Sequence, residues 1–145
     1  GKDLARRLEA QGLEAIESRV EELDALSLES ESLDAVFLVK FYHDTVWMGV
    51  DRPEMLRRIR DSLNPDGVFL VVDHAAEAGV GLTEVSGLHR IEEATLIAEV
   101  EAAGFRLAAR SSLLANSGDD RTSNVFRSRV RGNTDRFMLR FDPAK

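Results

Sequence analysis

The chain has 145 residues, no cysteine, and 19 Lys and Arg against 26 Asp and Glu, a net charge of −7. One domain is the natural count at this length, and such a chain buries a core without disulfide or metal staples. The composition excludes disulfides, thiolate nucleophiles and cysteine-based zinc sites. No apolar run approaches the ~20 residues of a spanning helix, and an acidic chain repels a phosphate backbone, so neither a membrane nor nucleic acid is an expected partner.

Lys2 to Gln11 sets Leu4, Ala5 and Leu8 on one face before Gly12, which predicts a helix. Leu13 to Val20 intersperses apolar and acidic residues and reads as a half-exposed strand; Glu21 to Ser32 reads as loop. Leu33 to Val39 is an apolar run of the kind found in strands covered on both faces. Asp51-Arg52-Pro53-Glu54 opens a helix whose buried stripe is Met55, Leu56, Ile59 and Leu63. Asn64-Pro65-Asp66-Gly67 is a turn in which Pro presets φ and Gly supplies positive φ.

Val68 to Asp73 is a second buried strand, and Ala75 to Gly87, with three glycines, reads as a mobile loop over one sheet end. Ile91 to Ala103 is a helix stopped by Gly104. Phe105 to Leu114 and Thr134 to Phe141 complete the chain as an antiparallel pair. Residues 105–145 carry nine bases and four acids, but the arginines alternate with apolar residues, as on a solvated strand face. The order of elements predicts one α/β domain, mostly parallel with an antiparallel C-terminal strand.

Ligands of open parallel sheets gather beyond the C-terminal strand ends. After the first buried strand stand Lys40, Phe41, Tyr42, His43 and Asp44, then Trp47; after the second stand Asp73 and His74. His43 suits a general base or a substrate-positioning group, because imidazole titrates near physiological pH; equally, it could order the strand-to-helix turn through the backbone. Asp44 could cap the following helix or bear on the site, and Asp73 and His74, on the neighbouring strand end, are expected within reach of His43. His89 reads as a capping or packing residue, and Phe41 and Trp47 as pocket wall or core. The histidines and aspartates lack compact metal-ligand spacing, so no metal site is expected. There is no Gly-x-Ser-x-Gly elbow, phosphate loop or Gly-x-Gly-x-x-Gly.

Several short runs, in this order, carry a resemblance. They are Ser32-Leu33-Asp34-Ala35-Val36, Leu63-Asn64-Pro65-Asp66-Gly67-Val68, and Val100-Glu101-Ala102-Ala103-Gly104-Phe105. From Ser32 to Lys145 the chain resembles the later two thirds of class I S-adenosylmethionine-dependent methyltransferases, leading into their fourth, fifth and sixth strands and ending on an antiparallel seventh. Tyr42-His43-Asp44, Trp47-Met48-Gly49-Val50-Asp51-Arg52-Pro53, Val72-Asp73-His74 and Leu88-His89-Arg90-Ile91 resemble more narrowly a bacterial group of predicted methyltransferases of unassigned substrate.

The resemblance implies a Rossmann-like methyltransferase sheet lacking its first two strands, so that residues 1–145 form a single partial, N-terminally truncated domain. It implies S-adenosylmethionine as cofactor and a small molecule as methyl acceptor. Glu21 or Glu22 would contact adenine, and Lys40, Phe41 and Tyr42 would form the wall behind the cofactor. His43, Asp44 and Trp47 would face the acceptor, with His43 as base or orienter, Asp73 or His74 assisting, and Ala75 to Gly87 as a lid. The alternative is a fold remnant that no longer binds cofactor and persists through association. Without a neighbour, Leu33 to Lys40 would expose an apolar edge, which either Leu13 to Val20 or a second copy in a homodimer is expected to cover. The compartment is open, with the cytoplasm the first expectation.

Overall fold

One four-stranded sheet organises the protein in a computed structural model that describes residues 2–13 and 15–144. The strands are β1 (Leu33–Val39), β2 (Leu63–His74), β3 (Phe105–Ser111) and β4 (Arg136–Pro143), in the order β1-β2-β4-β3. β1 pairs parallel to β2, and β4 runs antiparallel between β2 and β3. The helices are α1 (Lys2–Ala10), α2 (Tyr42–Trp47), α3 (Arg52–Ser62), α4 (Val85–Leu88) and α5 (Glu93–Ala102), with a 3-10 turn at Leu23–Ala25. The expected mostly parallel sheet with an antiparallel final strand is thus present. The side chains of residues 2–5, and with them the Leu4 and Ala5 part of the first helix face, lie outside the described residues.

Local signals account for the helices. Asp51 caps α3 by accepting the Glu54 backbone N–H at 3.0 Å, and Pro53 sits in the first turn, where its missing N–H costs nothing. Arg57 bridges Glu54 and Asp61 on the outer face, while Met55, Leu56 and Ile59 point inward. These join Leu96 and Val100 of α5 and Phe69, Val71, Leu139 and Phe141 of the sheet in one core. Phe69 packs against Phe105 and Phe141 with ring centroids 5.4 and 6.2 Å apart.

Four sequence expectations change. The β1–β2 register steps from Leu33↔Leu63 to Ala35↔Val68, so residues 64–67 loop out opposite Asp34, whose carboxylate accepts the Asn64 side-chain N–H at 2.7 Å. Gly67 is not needed for a positive φ: a Cβ there would stand 3.0 Å from the carbonyl oxygens of both Asn64 and Leu33. Close approach, not handedness, requires the glycine.

Second, β1 is covered on one face only. Val36 and Leu38 pack against the core, whereas Phe37 is 65% and Val39 52% exposed, because the core-forming helices meet the sheet on the side of Phe69 and Val71. Third, residues 13 and 15–20 form no strand, and Glu14 lies outside the described residues. Leu13, Ile16 and Val20 recur at three and four residues, not two, so no strand face exists to pair; Val20 is 95% exposed. Among the described residues, the outer edge of β1 has no strand partner. Fourth, the loop after β2 is anchored rather than free. Glu92 accepts the backbone N–H groups of Gly79 and Gly81 at 2.7 and 2.8 Å, and Val85 is buried.

The irregular segment between β3 and β4 hangs on one cation. Arg90 is fully buried and donates to the Ser123 carbonyl at 2.8 Å, the Ala75 carbonyl at 3.0 Å, and both oxygens of Asp119 at 2.9 and 3.1 Å. Asp119 also accepts the Asp135 N–H at 2.6 Å. Burial alone would raise the Asp119 pKa, but the Asp135 N–H and the Arg90 guanidinium prevail and hold it below its ordinary value.

Replacing Asp119 by Asn should cost about 3–5 kcal/mol of unfolding free energy at neutral pH, because it strands a buried guanidinium. As pH falls, the unfolded chain takes up this proton first, and the stabilisation is lost as the pH passes below the depressed folded-state value. Urea denaturation should therefore show the gap between wild type and Asp119→Asn widest at neutral pH and narrowing in acid.

Candidate functional site

The chain leaves β1 through Lys40, whose left-handed conformation (φ 54) turns it sharply while its N–H donates to the Val72 carbonyl at 2.6 Å. That turn places α2 over the C-terminal end of β2, where Asp73 is fully buried. One Asp73 oxygen accepts the His43 backbone N–H at 2.9 Å; the other meets His43 Nδ1 at 2.7 Å and the His74 backbone N–H at 2.8 Å. With Nδ1 on Asp73, Nε2 is the ring nitrogen left to meet other groups. His43 thus orders the turn through its backbone N–H, and its imidazole is held by Asp73.

His43 Nε2 lies 3.0 Å from Asp44 Oδ1. The same oxygen is 3.2 Å from His89 Nδ1 and accepts the Trp47 indole N–H at 2.9 Å. Asp44 makes no helix cap; Phe41 occupies the cap position and offers no side-chain bond. The rings of His89 and His74 lie 5.4 and 6.0 Å from that of His43. His74 Nδ1 contacts Thr134 Oγ1 at 2.8 Å. Burial, the chief influence, pushes the His74 pKa down to about 4; the nearby Asp73 charge opposes this, and His43 and Arg90 add to it.

The structure thus brings His43, Asp44, Asp73 and His74 together, and adds His89 and Thr134. His89 is drawn in by its left-handed backbone (φ 55) at the end of α4 and by the edge of Phe126, 4.9 Å between centroids. Its neighbour Arg90 fixes that end of α4. An arginine between Leu88-His89 and Ile91, met by the acid at 119, was the available signal. Tyr42 lies elsewhere: it is fully buried, and its hydroxyl donates to Glu99 at 2.7 Å beside the Arg52–Glu99 ion pair. Phe41 is half-buried and Lys40 exposed. Glu21 and Glu22 are exposed, with Glu21 accepting the Ser27 N–H at 2.6 Å, and neither contacts the histidine cluster.

Comparison with known proteins places this geometry in context. Residues 2–71 match the family described as a methyltransferase domain. No curated protein matches the chain. Among solved structures, the [4+2]-cyclase SpnF superposes with a TM-score of 0.70 at 13% identity, covering 97% of this chain and 60% of that one. An S-adenosylmethionine-dependent methyltransferase from Aquifex aeolicus gives a TM-score of 0.64 at 15% identity, over 94% of this chain and 59% of that one. Mitomycin 7-O-methyltransferase MmcR gives 0.60 at 17% identity, over 99% and 39%. The fold is therefore that of the S-adenosylmethionine-dependent methyltransferases, and the chain spans about 60% of the length of the first structures it matches.

The His74 ring should stay neutral through the physiological range. A long-range proton–nitrogen NMR titration should show no His74 protonation until the pH nears about 4. Because the unfolded chain binds this proton more readily, acidification from about 6.5 toward about 4 should destabilise the protein through His74.

Proposed function

We propose that this chain is the acceptor-side portion of an S-adenosylmethionine-dependent methyltransferase acting on a small molecule, with His43 as the base or orienting group. The observation that carries the reading is the buried Asp73–His43 contact at the C-terminal ends of adjacent parallel strands, which fixes the imidazole and turns Nε2 toward Asp44. The methyltransferase-domain match over residues 2–71 supports the class of chemistry. The similarity to mitomycin 7-O-methyltransferase MmcR supports a small-molecule acceptor.

S-adenosylmethionine, when bound, supplies the electrophilic methyl group. The donor set of this chain suits part of that cofactor. Exposed carboxylates at Glu21 and Glu22 can accept the adenine amino group, and Lys40 and Phe41 offer a charged and an apolar surface beyond β1. Tyr42, with its hydroxyl held on Glu99, anchors the turn that carries them. In an in-line displacement the protein chiefly aligns the nucleophile and removes its proton. His43 is placed to do this, with Asp73 as its orienting partner, His74 as a neutral neighbour, and Asp44 and Trp47 toward the acceptor. The stretch 75–87, pinned through Glu92, forms the rim of that side.

The exposed Phe37 and Val39 beside the bare β1 edge support a second reading, an association module that pairs through this edge. Titration calorimetry with S-adenosylhomocysteine separates the two: micromolar binding is expected for the enzyme, and silence together with a dimer in light scattering favours the module. In a turnover-competent protein, His43→Ala should lower kcat by about 10²- to 10⁴-fold. Unchanged turnover from about pH 6 to about pH 9 would remove His43 from the mechanism.

A further inference from the structure

With Nδ1 of His43 held on Asp73, Nε2 faces the Asp44 carboxylate, 3.0 Å away. His89 Nδ1 approaches the same oxygen at 3.2 Å. The three ligand atoms lie within 4.8 Å of one another, and ligands about 2.1 Å from a tetrahedral zinc ion sit about 3.4 Å apart. The spacing suits one small cation.

We propose that His43 Nε2, the Asp44 carboxylate and His89 Nδ1 bind a single divalent transition-metal ion of the zinc type, with open positions toward solvent. The donor set, two imidazoles and one carboxylate, is the combination such ions take. Its surroundings are those of a metal site. Asp73 holds the far nitrogen of His43, and the Trp47 indole supports the Asp44 carboxylate, which are the outer contacts that orient ligands. His43 is buried, whereas the side chains of Asp44 and His89 are each 22% exposed, so the site is anchored on one side and accessible on the other. The sequence spacing hid it because the ligands come from α2 and from the end of α4, 45 residues apart. An ion there would bind an acceptor hydroxyl or thiol and lower its pKa; with Nε2 on the ion, His43 would serve as a ligand and not as the base.

The proposal shares its residues with the methyl-transfer reading but does not need that reading's cofactor, so metal and S-adenosylhomocysteine are titrated separately and either can fail alone. Chelator-treated protein titrated with Co²⁺ and Zn²⁺ should bind one equivalent, with visible cobalt bands of a low-coordinate nitrogen–oxygen site. Asp73→Asn should weaken binding about 10- to 100-fold, and Asp44→Asn and His89→Ala should weaken it more, while His74→Ala should bind as wild type does. Should a variant fail to fold, nitrogen NMR of the wild type serves: Zn²⁺ must perturb His43 Nε2 and His89 Nδ1 and leave His74 in place. Absence of stoichiometric binding, or binding insensitive to Asp44→Asn and His89→Ala, overturns the site.

Discussion

The buried guanidinium of Arg90 is the constraint on which the rest of the molecule turns. Taking such a charge out of water costs several kcal/mol unless its donors are met, and here they are met by Asp119 and by the carbonyls of Ser123 and Ala75. Those partners come from the end of β2 and from the long irregular segment before β4. One side chain therefore decides where that segment lies, and with it Phe126 and Thr134, which meet His89 and His74. A network of this kind is favourable only when complete, so each member depends on the others.

The second constraint is the carboxylate of Asp73. It receives two backbone N–H groups and a ring nitrogen, which joins β2 to the first turn of α2 without any helix cap at Phe41. Tyr42, one residue earlier, turns the opposite way into the Glu99–Arg52 pair, locking α2 to α3 and α5. Adjacent residues thus serve the core and the candidate site.

Where information is local, the sequence was legible. The Asp51 cap, Pro53, the apolar runs of β1 and β2, and Gly104 after α5 each act within a few residues; α3 and β1 stand where those signals put them, while β2 begins earlier, at Leu63, and α5 later, at Glu93. The grouping of His43, Asp44, Asp73 and His74 followed from one topological rule about strand ends. His89 escaped because its place depends on Arg90 reaching Asp119 across 29 residues of chain. The open face of β1 escaped because an apolar run specifies a strand but not what covers it. Residues 13 and 15–20 escaped because acidic residues between apolar ones mimic alternation without repeating at two.

The unequal pairing of β1 and β2 has a dynamic consequence. β2 is bonded on both sides along Phe69 to Val72, whereas β1 is bonded on one. Local opening draws first on elements with few neighbours, so amide hydrogens of β1 should exchange ahead of those of β2. The two halves of the candidate site ride on these unequal supports: Asp73 on the persistent strand, His43 and Asp44 just beyond the labile one. Fluctuation at that end of the sheet would move the imidazole while its carboxylate anchor stays still, giving the site a built-in breathing coordinate.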